Sequence, residues 1–173
     1  MWIDTIVEYE PGKRMVAVKN VSLAEEHLHD HFPAEGGREA QPLMPASLMI
    51  EGMAQTAGIL VGSINRFREK VILAKIAGAE FDADVAPGQT IRYEATLERI
   101  DEKGASTRGL VSRLDHRRPR ADGGWEPIGR IDLMFSHVDR NVSGLEFPEE
   151  NFVFSDNFRT ILRSAGLHDL AEA

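Results

Sequence analysis

Cysteine is absent from the 173-residue chain. That excludes disulfides, thiolate catalysis and cysteine-ligated zinc, although it does not by itself fix the compartment. Basic charge is scarce: 20 Lys and Arg stand against 28 Asp and Glu, a formal net charge of −8. A phosphate backbone is repelled by such a surface unless one face gathers the cations, which disfavours general nucleic-acid binding. Met1-Trp2-Ile3-Asp4 has no basic stretch leading into an apolar one, so no secretion signal is expected. No window reads as apolar enough to span a bilayer. Repeats and low-complexity tracts are also missing. What is present is ordinary: 42% hydrophobic and 28% charged residues, enough for one core and too little chain for two. The expectation is a cytoplasmic protein of one domain with a short appendage.

Ile6 to Tyr9 and Met15 to Val18 read as two strands joined by a turn at Pro11-Gly12-Lys13. Val21 to Pro33 is polar, rich in histidine, and reads as loop with a short helical turn. Leu43 to Ser63 is apolar on nearly every side, which predicts a central helix buried all round, with Pro45 in its first turn. A carboxylate and an amide in its middle argue against a membrane-spanning role. Beyond it the period changes to two. Val71 to Phe81 is strand-like, and Ile91, Tyr93, Ala95 and Leu97 alternate with polar residues as in an antiparallel strand buried on one face. Ala105 to Leu114 and Trp125 to Val138 complete a second hairpin with a long basic loop between them. The class is therefore α+β, an antiparallel sheet wrapped around a long central helix over about 43–63. The domain is expected to run over 1–138. Residues 139–173 form an acidic extension with seven acidic and three basic side chains and one helix, Ser155 to Gly166.

Glu51 is the sharpest local signal. A carboxylate inside an apolar helix must be paired, protonated or functional, because desolvating the charged form is costly. Gln55 lies one turn on, on the same face. A structural hydrogen-bond network or a water-filled notch would explain Glu51 equally well. His27-Leu28-His29-Asp30-His31 is superficially similar to the H-x-H-x-D-H motif of metallo-β-lactamase-like hydrolases, but one residue is missing before the acid. Solvent-exposed loop histidines are the alternative. Arg113, Arg117, Arg118 and Arg120 make the third cluster, either a solvated hairpin tip or a docking patch for an acidic partner.

Two stretches in order carry a family likeness: Glu10 to Ser22 running on to His31-Phe32-Pro33, and Pro42-Leu43-Met44-Pro45-Ala46-Ser47-Leu48-Met49-Ile50-Glu51-Gly52-Met53-Ala54-Gln55. With the later Phe81 and Val85-Ala86-Pro87-Gly88, they resemble the β-hydroxyacyl-acyl-carrier-protein dehydratase family of FabZ/FabA type, which shows H-F-P, then P-x-M-P-G-x-L-x-x-E-x-x-A-Q, then F-x-x-x-V-x-P-G-D. The resemblance spans about residues 8–138. It implies a hotdog fold and loss of water from a β-hydroxyacyl thioester to give the trans-2-enoyl thioester, in fatty-acid or related acyl biosynthesis. His31 would be the catalytic imidazole and Glu51 the catalytic carboxylate. The backbone N–H groups of Ala46 and Ser47 would bind the thioester oxygen, with Gln55 in support. No metal and no organic cofactor is implied. The substrate would arrive on acyl carrier protein or coenzyme A. The family is homodimeric with shared active sites, and trimers of dimers are common in it.

The departures are local. Eight residues, Ala34 to Gln41, separate Pro33 from Pro42 where the family has about two, so His31 and Glu51 lie 20 apart. Ala46 replaces the glycine of M-P-G, a strain if that position needs positive φ. Asp30 puts a charge before His31 where the family has a small residue. The same fold also hosts acyl-thioester hydrolases and would suit a non-catalytic acyl-binding subunit, so the fold alone does not choose. Acidic carrier protein needs a local basic face, for which Arg38, Arg66, Arg68, Arg117 and Arg118 are the candidates.

Overall fold

The computed structural model describes residues 1–29, 31–117, 124–138 and 155–172. Strands β1 (Thr5–Glu10) and β2 (Arg14–Asn20) form the first hairpin, and helix α1 (Ala46–Ile64) follows. Then come β3 (Lys70–Phe81), β4 (Gln89–Asp101), β5 (Gly104–Asp115) and β6 (Glu126–Val138), and finally α2 (Asp156–Ser164) and α3 (His168–Ala171). The six strands make one sheet in the order β1-β2-β4-β5-β6-β3, with every neighbouring pair antiparallel. The period-two segments are strands, as their alternation requires. In β4, Ile91, Tyr93 and Ala95 are fully buried while Arg92 and Glu94 between them are half-buried on the other face.

Helix α1 packs across one face of this sheet, where Met53, Ala57, Leu60 and Val61 join the strand side chains in one core cluster. Its start is fixed by Pro45, which holds the residue before it out of the helical region. Leu43 and Met44 therefore precede the helix. Close approach to β4 depends on Gly52, where a Cβ would stand 2.5–2.6 Å from the Tyr93 ring. The absence of any bilayer-length apolar window does not hold: by length and composition Ala46–Ile64 could cross a membrane. Packed as it is against the sheet, it has the place of a core helix.

Nor is α1 buried all round. Ala46, Ser47 and Glu51 are exposed, so one face of its first two turns is open in the single chain. Strand β3 is similarly open. It pairs with β6 on one side only, and its Leu73 and Ile76 are exposed. At the C-terminus, α2 begins after Ser155 as the sequence indicates, and Gly166 (φ +76°) follows it. Ile161, Leu162 and Ala171 of the two terminal helices belong to the same core cluster as α1.

Candidate active site

Between His31 and α1 the chain makes a small closed excursion. Glu35 and Arg38 bridge to each other, Gly36 and Gly37 take the positive φ of the tight turn, and Gln41 N–H donates to Phe32 O at 2.9 Å. The extra residues therefore return on themselves, and the flanking segments are held together as they would be by a short turn. Phe32 itself has φ +58°, unusual for a residue with a side chain. The result places His31 beside Leu43, twelve residues later: His31 Nδ1 lies 2.5 Å from Leu43 O. A carbonyl only accepts, so Nδ1 carries the proton and donates it. The other ring nitrogen, Nε2, is left as the basic atom of the neutral ring.

The start of α1 is held by Met44 N–H donating to Val85 O at 2.7 Å, so the Val85-Ala86-Pro87-Gly88 turn anchors the helix. Leu48 and Met49 N–H already donate to Pro45 O, at 3.0 and 3.2 Å. Ala46 and Ser47, immediately before them, have N–H groups with no acceptor inside the helix and stand at its positive end. Ala46 occupies the first helical position, where φ is negative, so alanine in place of the family's glycine costs no strain.

Glu51 sits one turn beyond Ser47 on the same face. Its Oε1 accepts from Gln55 Nε2 at 3.0 Å, and Gln55 Oε1 accepts the Trp2 backbone N–H at 2.9 Å. Glu51 is thus a partnered, exposed carboxylate and not one sunk in the core. It lines a cavity of about 220 Å³ that also borders Gln55, Gly58 and Gly62 of α1. Leu73, Phe135 and Phe158, on β3, β6 and α2, also line it. Phe67, just past α1 with φ +56°, lies over Gly62, where a Cβ would meet its ring at 2.7 Å.

His31 is not on this cavity, and no hydrogen bond joins it to Glu51 within the chain. The cavity does contain a second carboxylate that sequence reasoning missed. Glu69 accepts from Asn65 Nδ2 at 2.5 Å and lies 2.7 Å from His137 Nδ1, whose ring is buried. Neither Glu69 nor His137 sits in a recognisable motif, and the register of β3 on β6 is what unites them. Trp2 and Phe158 were missed for the same reason, since each reaches the site from a distant part of the chain.

The other histidines point apart. His27 lies 3.4 Å from Glu25 and edge-on to Trp2, and His29 Nε2 donates to Leu23 O at 2.7 Å. No group of three or more His, Cys, Asp or Glu converges among the described residues, and Asp30 lies outside them. Of the docking candidates, Arg117 is engaged by Asp115 at 3.1 Å, and its guanidinium holds that carboxyl well below the usual range. Arg38, Arg66 and Arg68 are exposed and have no carboxylate partner among the described residues, while Arg118 lies outside them.

Residues 1–113 match the model of the FabA-like domain. The chain is 32% identical over 111 residues to a 3-hydroxyacyl-[acyl-carrier-protein] dehydratase FabZ of Clostridium acetobutylicum, covering 64% of this chain and 74% of that protein. It is 37% identical over 140 residues to the FabZ of Roseiflexus castenholzii, covering 80% and 87%. Among solved structures, the dehydratase heterocomplex ApeI:P from Xenorhabdus doucetiae superposes with TM-score 0.58 at 17% identity, over 80% of this chain and 84% of that one. A thioesterase family protein from Silicibacter pomeroyi also gives 0.58 at 12% identity, over 77% and 82%. At those identities the structures speak for the hotdog fold alone. The sequence matches go further: the chain belongs to the FabZ/FabA-type hotdog dehydratase family.

Proposed function

We propose that the protein is a hydro-lyase that removes water from a 3-hydroxyacyl thioester carried on acyl carrier protein, giving the trans-2-enoyl thioester for fatty-acid or related acyl biosynthesis in the cytoplasm. The observation that carries the reading is the fixed ring of His31, whose Nδ1 donation to Leu43 leaves Nε2 free to take a proton. In the reaction, Nε2 removes the α-proton and the electron pair becomes the new carbon–carbon double bond. The β-carbon–oxygen bond breaks, and Glu51, entering the step as the carboxylic acid, delivers its proton to the departing hydroxyl, which leaves as water; the proton taken up by His31 then returns to Glu51 through solvent and resets both groups. Charge developing on the thioester oxygen is met by the N–H groups of Ala46 and Ser47 at the helix end.

One chain does not suffice for this chemistry, because His31 and Glu51 do not meet in it. The open edge of β3 supports a solution. Unpaired N–H and C=O groups beside exposed Leu73 and Ile76 form a template for a second copy, and a symmetric pair of β3 strands would cover both. The open face of α1 would then be covered too, with His31 of one protomer facing Glu51 of its partner. Arg38, Arg66 and Arg68 are the basic groups best placed to receive an acidic carrier protein.

The test is hydration of a crotonyl thioester, the reverse reaction, by wild type, His31→Ala and Glu51→Gln. Both substitutions should cost about 10²–10⁴ in rate while leaving the fold intact. Equal rates in all three proteins would falsify the assignment. Hydrolysis of acyl-coenzyme A in its place would make the protein a thioesterase on the same scaffold.

A further inference from the structure

We infer that Lys19 is a positioning residue for both groups of the proposed site, holding the segment that carries His31 and the segment that aims Glu51 from one buried ammonium. The inference rests on the reading of those two side chains as the reacting pair. Lys19, on β2, is 7% exposed and is the one charged residue buried among those described. An ammonium has three protons to donate, and here each faces an acceptor: Asn20 O at 2.9 Å, Asp4 Oδ1 at 3.3 Å, and Glu25 Oε1, which it bonds directly. A cation withdrawn from water persists only where such partners surround it, so the ammonium fixes what it touches. Among the described residues it bonds neither His31 nor Glu51, and it acts on them through the chain.

Two arms leave Lys19. Asp4 lies two residues after Trp2. Its Oδ2 accepts the Asn20 N–H at 2.7 Å and Asn20 Nδ2 at 3.1 Å, and its own N–H donates to Val18 O at 2.8 Å, so the start of the chain is laid along β2. That brings the Trp2 N–H to Gln55 Oε1, and Gln55 in turn to Glu51. Glu25 begins the other arm. It stands immediately before the short 3-10 turn Glu26–Leu28, whose Leu28 is locked in the core, and His31 follows Leu28 by three residues. The arms meet again away from Lys19. His27 Nε2 lies 3.4 Å from the second Glu25 oxygen, and its ring stands edge-on to Trp2 with the centroids 5.1 Å apart. A loop closed in this way does not lose its central cation without loosening both ends.

Removing the ammonium alone would leave Glu25 charged, shielded and unpaired, which endangers folding. The variant to use replaces both partners with apolar groups, Lys19→Met/Glu25→Leu. Asp4 keeps its two bonds from Asn20. With crotonyl-coenzyme A this variant should lose about tenfold to a hundredfold in kcat at nearly constant KM. Two signals read the arms apart from turnover. The proton–nitrogen NMR correlation of the His31 ring should show the Nδ1–H form in wild type and a mixture of tautomers in the variant. Trp2 fluorescence, read in a Trp125→Phe background, should shift to the red and become more open to quenching by acrylamide. If the double variant does not fold, Glu25→Gln, which keeps an acceptor for Lys19 and removes the charge, should give the same changes reduced. A folded variant in which either signal stays at its wild-type value overturns the common anchor. Both signals moved with kcat unchanged overturns the positioning role. Both signals moved in a protein whose wild type does not hydrate the substrate upholds the grip of Lys19 on the two segments and removes the dehydratase reading alone.

Discussion

The Gln55 amide donates to the Glu51 carboxylate across 3.0 Å, and its orientation is not arbitrary. The other end of the amide accepts the Trp2 backbone N–H at 2.9 Å, and a carboxylate and an N–H can be served in only one way round. Gln55 therefore aims Glu51 and ties it to the start of the chain. Gln55→Ala should lower kcat about tenfold with KM nearly constant, as expected of a positioning residue. The stability cost should be near 1 kcal/mol. Steady-state hydration kinetics beside a thermal melt separate the two effects, and an unchanged kcat would deny Gln55 this role.

The proposed sharing of sites between protomers predicts rescue by mixing. In a heterodimer of His31→Ala with Glu51→Gln, one of the two sites combines both intact side chains. Random exchange of subunits should therefore restore about a quarter of wild-type activity from two inactive proteins. Activity that stays at the level of the separate mutants after exchange, verified by differently tagged chains, would place both groups in one protomer.

The β3 edge gives a second handle on the same assembly. Ile76→Asp puts a charge in the middle of β3, whose outer edge is unpaired and where Ile76 is 45% exposed, so the monomer loses little. Light scattering should show a monomer in place of a dimer, and hydration should fall with it. A dimer of unchanged affinity would move the interface elsewhere.

Acid sensitivity should arise between β2 and β4. The Arg14 guanidinium, bonded to Glu94 at 2.8 Å and to Glu8 at 2.5 Å, holds both carboxyls below their ordinary value of 4.5. Depressed folded-state values contribute stability above the unfolded value, and that stability is lost as pH falls through the folded ones. Since both pairs are partly exposed, each should contribute no more than about 1 kcal/mol. In Arg14→Met, the melting temperature should start lower at neutral pH and fall less steeply below about pH 4.5. Parallel curves for the two proteins would show that these ion pairs do not set the acid limb.

Gly52 offers a test with an inverted sign. Alanine in a helix normally stabilises relative to glycine by about 0.5–1 kcal/mol. Here its Cβ would fall 2.5–2.6 Å from Tyr93, so Gly52→Ala should instead destabilise by about 1–3 kcal/mol. A raised melting temperature would mean that the Tyr93 ring yields.

What was legible in the sequence was what local pattern controls. The alternation from Ile91 to Leu97 and the turn at Pro11-Gly12-Lys13 fix strands and hairpins, and the apolar run around Glu51 fixes the helix. Burial of that helix was overread. Apolar residues such as Ala46, Leu48 and Ile50 report that a surface avoids water, not whether its own sheet or a second copy covers it. Strand order was also beyond reach, since β3 beside β6 is a contact between segments about sixty residues apart. The joining of His31 to Leu43, Glu69 to His137 and Phe158 to the cavity depends on such long-range registers. Motif spacing singled out Glu51 and His31 because the proposed chemistry demands fixed residue types, while a cavity-lining residue such as Phe158 is one aromatic among several.

The closed base of the 34–41 excursion makes that segment an exchangeable handle. Because Gln41 N–H is already bonded to Phe32 O beneath it, the tip at Gly36-Gly37 can change in sequence or length without transmitting strain to the imidazole. A label or a grafted peptide inserted there would report from the rim of the site while the groups below it keep their positions.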